Sequence, residues 1–190
     1  MYVKLEDVAE YSKDRVDCET LTKDTYVSVE NLLQNKSGKK QAGKIPTEGK
    51  TLGYKKGDIL IGNIRPYLKK IWLADLDGGT NGDVLVIRNK YKNFVADEYL
   101  YCVLSSDTFF NYDNGCSKGA KMPRGDKQAI MQYDFWLPSK ESQIRVCSIL
   151  NRFDVLCNDI SQGLPAEIEA RQNQYEYYRD KLLTFKERVV

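Results

Sequence analysis

Between residues 36 and 70 the chain carries ten lysines and arginines: Lys36, Lys39, Lys40, Lys44, Lys50, Lys55, Lys56, Arg65, Lys69 and Lys70. Only Glu48 and Asp58 oppose them there, so this stretch has an excess of eight positive charges. The net charge of all 190 residues is +2, and the remainder therefore sums to minus six. A surface that faces only water gains nothing from such segregation. It suits a chain that holds phosphates on one side and stays soluble elsewhere, although a solvated lysine-rich loop has the same composition. A second basic stretch, residues 115–127, sets Lys118, Lys121, Arg124 and Lys127 among three glycines and one acid. Its glycines allow close backbone approach, and its cations match phosphates or guanine edges.

No bond-breaking chemistry accompanies these charges. With no histidine in the sequence, an imidazole base, a Ser-His-Asp triad or the usual zinc hydrolase site cannot be assembled. There is no Gly-x-x-x-x-Gly-Lys-Ser/Thr phosphate loop, and no two of the five prolines are adjacent, which removes the Asn-Pro-Pro-Tyr motif of amino-methyltransferases. Glu48-x-Lys50 is half of a nuclease motif, but such triplets are common in lysine-rich loops. The five cysteines, at 18, 102, 116, 147 and 157, form no Cys-x-x-Cys pair and lie in separate segments. Reduced thiols are expected, with no metal and no other cofactor. No run of eighteen apolar residues occurs and the N-terminus lacks a signal-peptide core, so a cytoplasmic protein without membrane spans is expected.

The elements that must position the basic residues follow from periodicity. Leu5, Val8 and Ala9 give a short opening helix, residues 25–29 alternate as a strand, and residues 31–50 form a long exposed loop. Residues 57–64 read as a buried strand that delivers Arg65, Lys69 and Lys70 directly after it. Residues 71–73 and 83–88 read as a hairpin with Thr80 and Asn81 at its tip, where they count as candidate DNA contacts, although Asn81-Gly82 is also plain turn chemistry. A helix over 97–104, a short helical turn behind Ser106, the basic loop and an alternating strand through Met131, Tyr133, Phe135 and Leu137 complete a domain over residues 1–138.

Residues 139–190 have a different pattern. Val146, Leu150, Phe153, Cys157, Ile160 and Leu164 make one 3-4 seam, and Ile168, Tyr175, Tyr178, Leu182, Phe185 and Val189 make another, with Arg171 at its polar position. The register skips at Gly163-Leu164-Pro165, which predicts two helices with a break or kink between them. Fully extended, fifty helical residues at about 1.5 Å each would make a rod of roughly 75 Å, too long for a domain of this size to cover alone. The second seam predicts dimerisation through Ile168, Tyr175, Tyr178, Leu182 and Phe185.

Leu137-Pro138, Glu141-Ser-Gln143-Ile144, Ile149-Leu150-Asn-Arg-Phe153-Asp154, Gly163-Leu164-Pro165-Ala-Glu-Ile168-Glu and the run from Gln174 to Phe185 resemble the conserved helical region of type I restriction-modification specificity subunits. The resemblance extends more loosely to residues 57–70 and 115–138. It implies a half-length form with one target recognition domain and one helical region, lending sequence choice to separate methylation and cleavage subunits and having no catalytic activity of its own.

The fold expected is α/β (α+β): a recognition domain with a mixed or antiparallel sheet, then long coiled-coil helices over 139–190. Expected DNA contacts are Lys39, Lys40, Lys44, Arg65, Lys69, Lys70, Thr80, Asn81, Lys118, Lys121, Arg124 and Lys127. Expected partners are double-stranded DNA, modification (methyltransferase) subunits, restriction subunits through the complex, and a second copy in an antiparallel homodimer. A scaffold protein that uses the coiled coil for assembly, with lysines serving solubility alone, is the competing reading.

Overall fold

The computed structural model describes residues 1–160 and 165–184. It opens with β1 (Tyr2–Lys4), the short helix α1 (Leu5–Val8), β2 (Ala9–Tyr11), β3 (Arg15–Asp17) and β4 (Tyr26–Val27). After the long loop come β5 (Lys50–Tyr54), β6 (Ile59–Gly62), β7 (Ile71–Leu73), β8 (Gly78–Thr80) and β9 (Val84–Asn89). Helices α2 (Asp97–Leu104), α3 (Asp107–Cys116) and α4 (Lys127–Met131) precede β10 (Asp134–Trp136), α5 (Lys140–Ile160) and α6 (Pro165–Leu183).

One antiparallel sheet, ordered β2-β9-β6-β7, forms the middle layer. Both of its faces are covered, which is why residues 59–61 read as a continuous Ile-Leu-Ile run rather than an alternation. Ile59, Ile61, Ile71, Leu85 and Ile87 pack into the helical core with Tyr99, Leu100, Phe109 and Leu150. The opposite face, Leu60, Trp72, Val84 and Val86, packs on Val27, Leu32 and Tyr54 beside the second sheet, which is mixed and ordered β3-β5-β8-β4. β1 pairs with β10 and so fastens the N-terminus to the strand before α5.

The expected hairpin is not formed: β7 and β9 both pair with β6, which lies between them. The Gly78-Gly79-Thr80 stretch is a strand of the other sheet, hydrogen-bonded to β5 and parallel to β4. Glycines look like turn residues in a sequence, but here they are required by close packing. A β-carbon on Gly78 would stand 2.0 Å from the Thr25 carbonyl oxygen.

The first turns of α5 belong to the domain core. Val146, Cys147 and Leu150 are buried in it, and the fully buried Gln143 accepts from the Ala96 amide while donating to the carbonyls of Phe94 and Pro138. Helix α6 does not project away from the domain. Tyr175, Leu182 and Leu183 pack on the same core, and Leu183 and Thr184 reach the cavity lined by Tyr2, Ser106 and Trp136. The register 175, 179, 182 faces inward rather than 175, 178, 182. Arg179 is tolerated there, 2% exposed, because Asp180 and Asp107 lie beside it. Tyr178 is left 41% exposed. The side chain of Ile168, the Gly163-Leu164 break and Phe185 lie outside the described residues.

Candidate nucleic-acid interface

The fully buried strand β6 ends at Gly62 and hands the chain to Asn63, Ile64 and Arg65. Arg65 and Lys69 both take left-handed backbone conformations (φ 55° and 49°) around the tight turn Pro66–Leu68. Non-glycine residues rarely hold this geometry unless their surroundings fix it. Main-chain hydrogen bonds do so here: Arg65 donates to the Pro123 carbonyl at 2.7 Å, while Leu68 and Lys69 accept from the amides of Asn35 and Lys36 at 3.0 and 2.9 Å. Three loops, centred on residues 36, 66 and 123, are thereby joined. The third is itself closed by reciprocal Lys118–Arg124 main-chain bonds of 2.9 Å.

Between these loops lies an open cleft of about 850 Å³ lined by Glu30, Lys44, Arg65, Lys70, Asn81 and Met122 among others. Lys40, Lys44, Arg65 and Lys121 are exposed. Other expected contacts serve different purposes. Lys69 Nζ donates to Asp107 at 2.7 Å, and Lys36 Nζ donates to the same oxygen at 2.9 Å. Against the raising effect of its burial, these two lysines hold the Asp107 carboxyl well below the usual carboxylate range; Arg179 of α6 stands 3.9 Å from its other oxygen. Lys70 Nζ donates to the Val29 carbonyl at 2.6 Å, and its burial lowers its affinity for a proton. Lys39 donates to the Asp24 carbonyl and lies 4.9 Å above the Trp72 ring.

Lys118 is paired with Asp126 and Arg124 with Asp83, both from exposed positions. Lys127 is exposed but lines a different groove, beside Tyr11, Arg15 and Lys50. Asn81 half-fulfils its turn reading, accepting from the Asp83 amide at 3.3 Å while still lining the cleft. Thr80 is corrected outright: it is 0% exposed, and its hydroxyl donates to the Val27 carbonyl inside the second sheet. The strand pairing of β8 turns it inward, so it is a structural residue and not a surface contact.

Residues 1–170 match the family model for the type I restriction modification DNA specificity domain. The chain belongs to that family. A 67-residue stretch is 43% identical to the specificity subunit of the EcoR124I/EcoR124II type I restriction enzyme of Escherichia coli, covering 35% of this chain and 17% of that subunit. A putative type I restriction enzyme specificity subunit of Haemophilus influenzae is 30% identical over 131 residues, covering 69% of this chain and 33% of the relative. The fold is that of the HsdS subunit from Thermoanaerobacter tengcongensis, with a TM-score of 0.65 at 22% identity over 91% of this chain. The matched region is 46% of the Thermoanaerobacter chain, so this specificity-family chain spans about half the length of that structure.

The tethering carboxylate Asp107 has no signal in the sequence: it meets Lys36, Lys69 and Arg179 only through tertiary folding, and no spacing rule connects α3 to loops so distant along the chain.

Proposed function

We propose that this chain is a DNA specificity subunit that reads one half of a bipartite target through the three joined loops. As a two-fold pair it directs methyltransferase and endonuclease subunits to the site. One observation carries the reading: the exposed cations Lys44 and Arg65 line a single cleft with Met122 of the basic loop, whose neighbour Lys121 is also exposed, and main-chain hydrogen bonds join the surrounding loops in advance. Preorganised cations on a rigid frame are what sequence reading requires, because phosphate contacts fix register and base-edge contacts then discriminate. In this reading the chain does no bond chemistry itself; catalysis resides in the subunits it recruits. Among the described residues no helix is long and apolar enough to cross a membrane.

Self-pairing is supported by the outer face of α6, where Tyr177 and Tyr178 are exposed and stack edge to face at 5.4 Å. Identical domains about a two-fold axis read the same sequence on opposite strands, so the target is an interrupted palindrome. An electrophoretic shift with a mixed genomic DNA library, with and without the modification subunit, tests the assignment. Sequence-selective retention of DNA is expected; no retention in either condition returns the chain to the scaffold reading.

A further inference from the structure

Asp113 and Asn63 each bury an oxygen, Oδ1, that accepts no hydrogen bond. Asp113 stands on α3 and Asn63 follows β6. Both oxygens converge on Gly125 of the basic loop: a β-carbon there would lie 2.5 Å from Asp113 Oδ1 and 2.9 Å from Asn63 Oδ1. The Gly125 amide donates to the Asn63 carbonyl at 3.1 Å, so the three segments are fastened at this point. Two acceptors turned toward one buried spot is an unfavourable arrangement unless a donor lies between them. Among the described residues no cluster of three or more carboxylates and thiols gathers here to hold a metal ion. A proton on the carboxyl would supply the missing donor.

No cation neutralises Asp113 among the described residues. Lys118 is held by Asp126 and Arg124 by Asp83, while Lys127 lines another groove. The titratable group that faces it, Tyr11 of β2, is an acid, and Tyr11 in turn lies near Asp126 at the head of α4. Burial accordingly pushes the Asp113 carboxyl up to about 6.

We propose that Asp113 carries a proton donated to Asn63 Oδ1, and that this buried O–H···O bond positions the 117–126 loop against the end of β6. Asp113 is thus the positioning residue for that loop. The loop's role in binding DNA rests on the function proposed above; the proton does not. Because the folded-state affinity for the proton is raised, the bond is present in acid and is lost as pH rises through about 6. The bare carboxylate then faces an amide oxygen, and the loop loosens.

Asp113→Asn supplies an N–H donor in the same place at every pH. Urea unfolding of both proteins between about pH 4.5 and 7.5 should show the wild-type folding constant falling on the order of tenfold relative to D113N. Exchange protection of the Gly125 amide should fall in step. A carbon-13 titration of the wild-type Asp113 carboxyl, which needs no variant, should have its midpoint near 6. A ratio that is flat across this range, a wild type that gains on D113N as pH rises, or a midpoint at the ordinary aspartate value overturns the proposal. DNA affinity measured over the same range should weaken in wild type and not in D113N. Unchanged affinity with a titrating Asp113 leaves the proton in place and instead removes the loop from the DNA interface.

Discussion

Residue by residue, the basic stretches were visible in composition, but the division of labour among the cations was not. Lys44, Arg65 and Lys121 remain open, whereas Lys69, Lys70 and Lys39 are spent on Asp107, Val29 and Asp24, contacts that no local spacing announces. The two groups should behave differently when replaced. Alanine at Lys44 or Lys121 is expected to lower DNA affinity for all sequences and reduce the salt slope by about one counterion each. Alanine at Lys69 or Lys70 should act first on stability. Asp107→Asn removes the negative charge that strengthens two lysine hydrogen bonds and should cost about 2 kcal/mol at neutral pH, measured by urea unfolding. Since the folded carboxyl titrates below its unfolded value, that contribution exists above the ordinary carboxylate range and fades as pH falls through and below it. The difference between wild type and D107N should therefore shrink toward acid, opposite in sense to the D113N comparison.

At the scale of elements, periodicity found the central strands, α2, the Ser106 cap of α3 and the helical C-terminus, because buried faces and caps leave local patterns. It failed where tertiary fit overrides local chemistry. Gly78-Gly79 mimics a turn, yet β8 needs glycine to lie against Thr25, Tyr54 and Leu21. Gly78→Ala should destabilise by about 3 kcal/mol, the upper end for overpacking a filled core, read as a fall in the thermal midpoint. The α6 seam was displaced by one position, since a buried Arg179 looks polar until its distant partner Asp107 is known. Leu182→Asp is consequently expected to unfold the α6 contact within one chain, seen as increased proteolysis of the C-terminal region. Tyr178→Asp on the open face should leave folding intact and act on association, seen by sedimentation. Loss of association in L182D with an undisturbed helix would restore Leu182 to an intermolecular seam.

For the whole molecule, the reading proposed above has a second copy, related by a two-fold axis, supply the other half of the target, and symmetry would then make both halves of the site change together. The overall layering follows from the two-faced middle sheet, which has helices on one side and the second sheet on the other. The loop cluster that follows the end of β6 is the surface that the proposed reading turns toward a duplex. The most direct measurement is mapping of methylated motifs in cells that contain this chain and its modification subunit, with wild type compared against Arg65→Ala. An interrupted palindrome is expected in wild type, and in R65A a loss of discrimination of about 1 to 3 kcal/mol at the same position in both halves. A motif with unrelated halves, a change confined to one half, or methylation indifferent to this chain would contradict it.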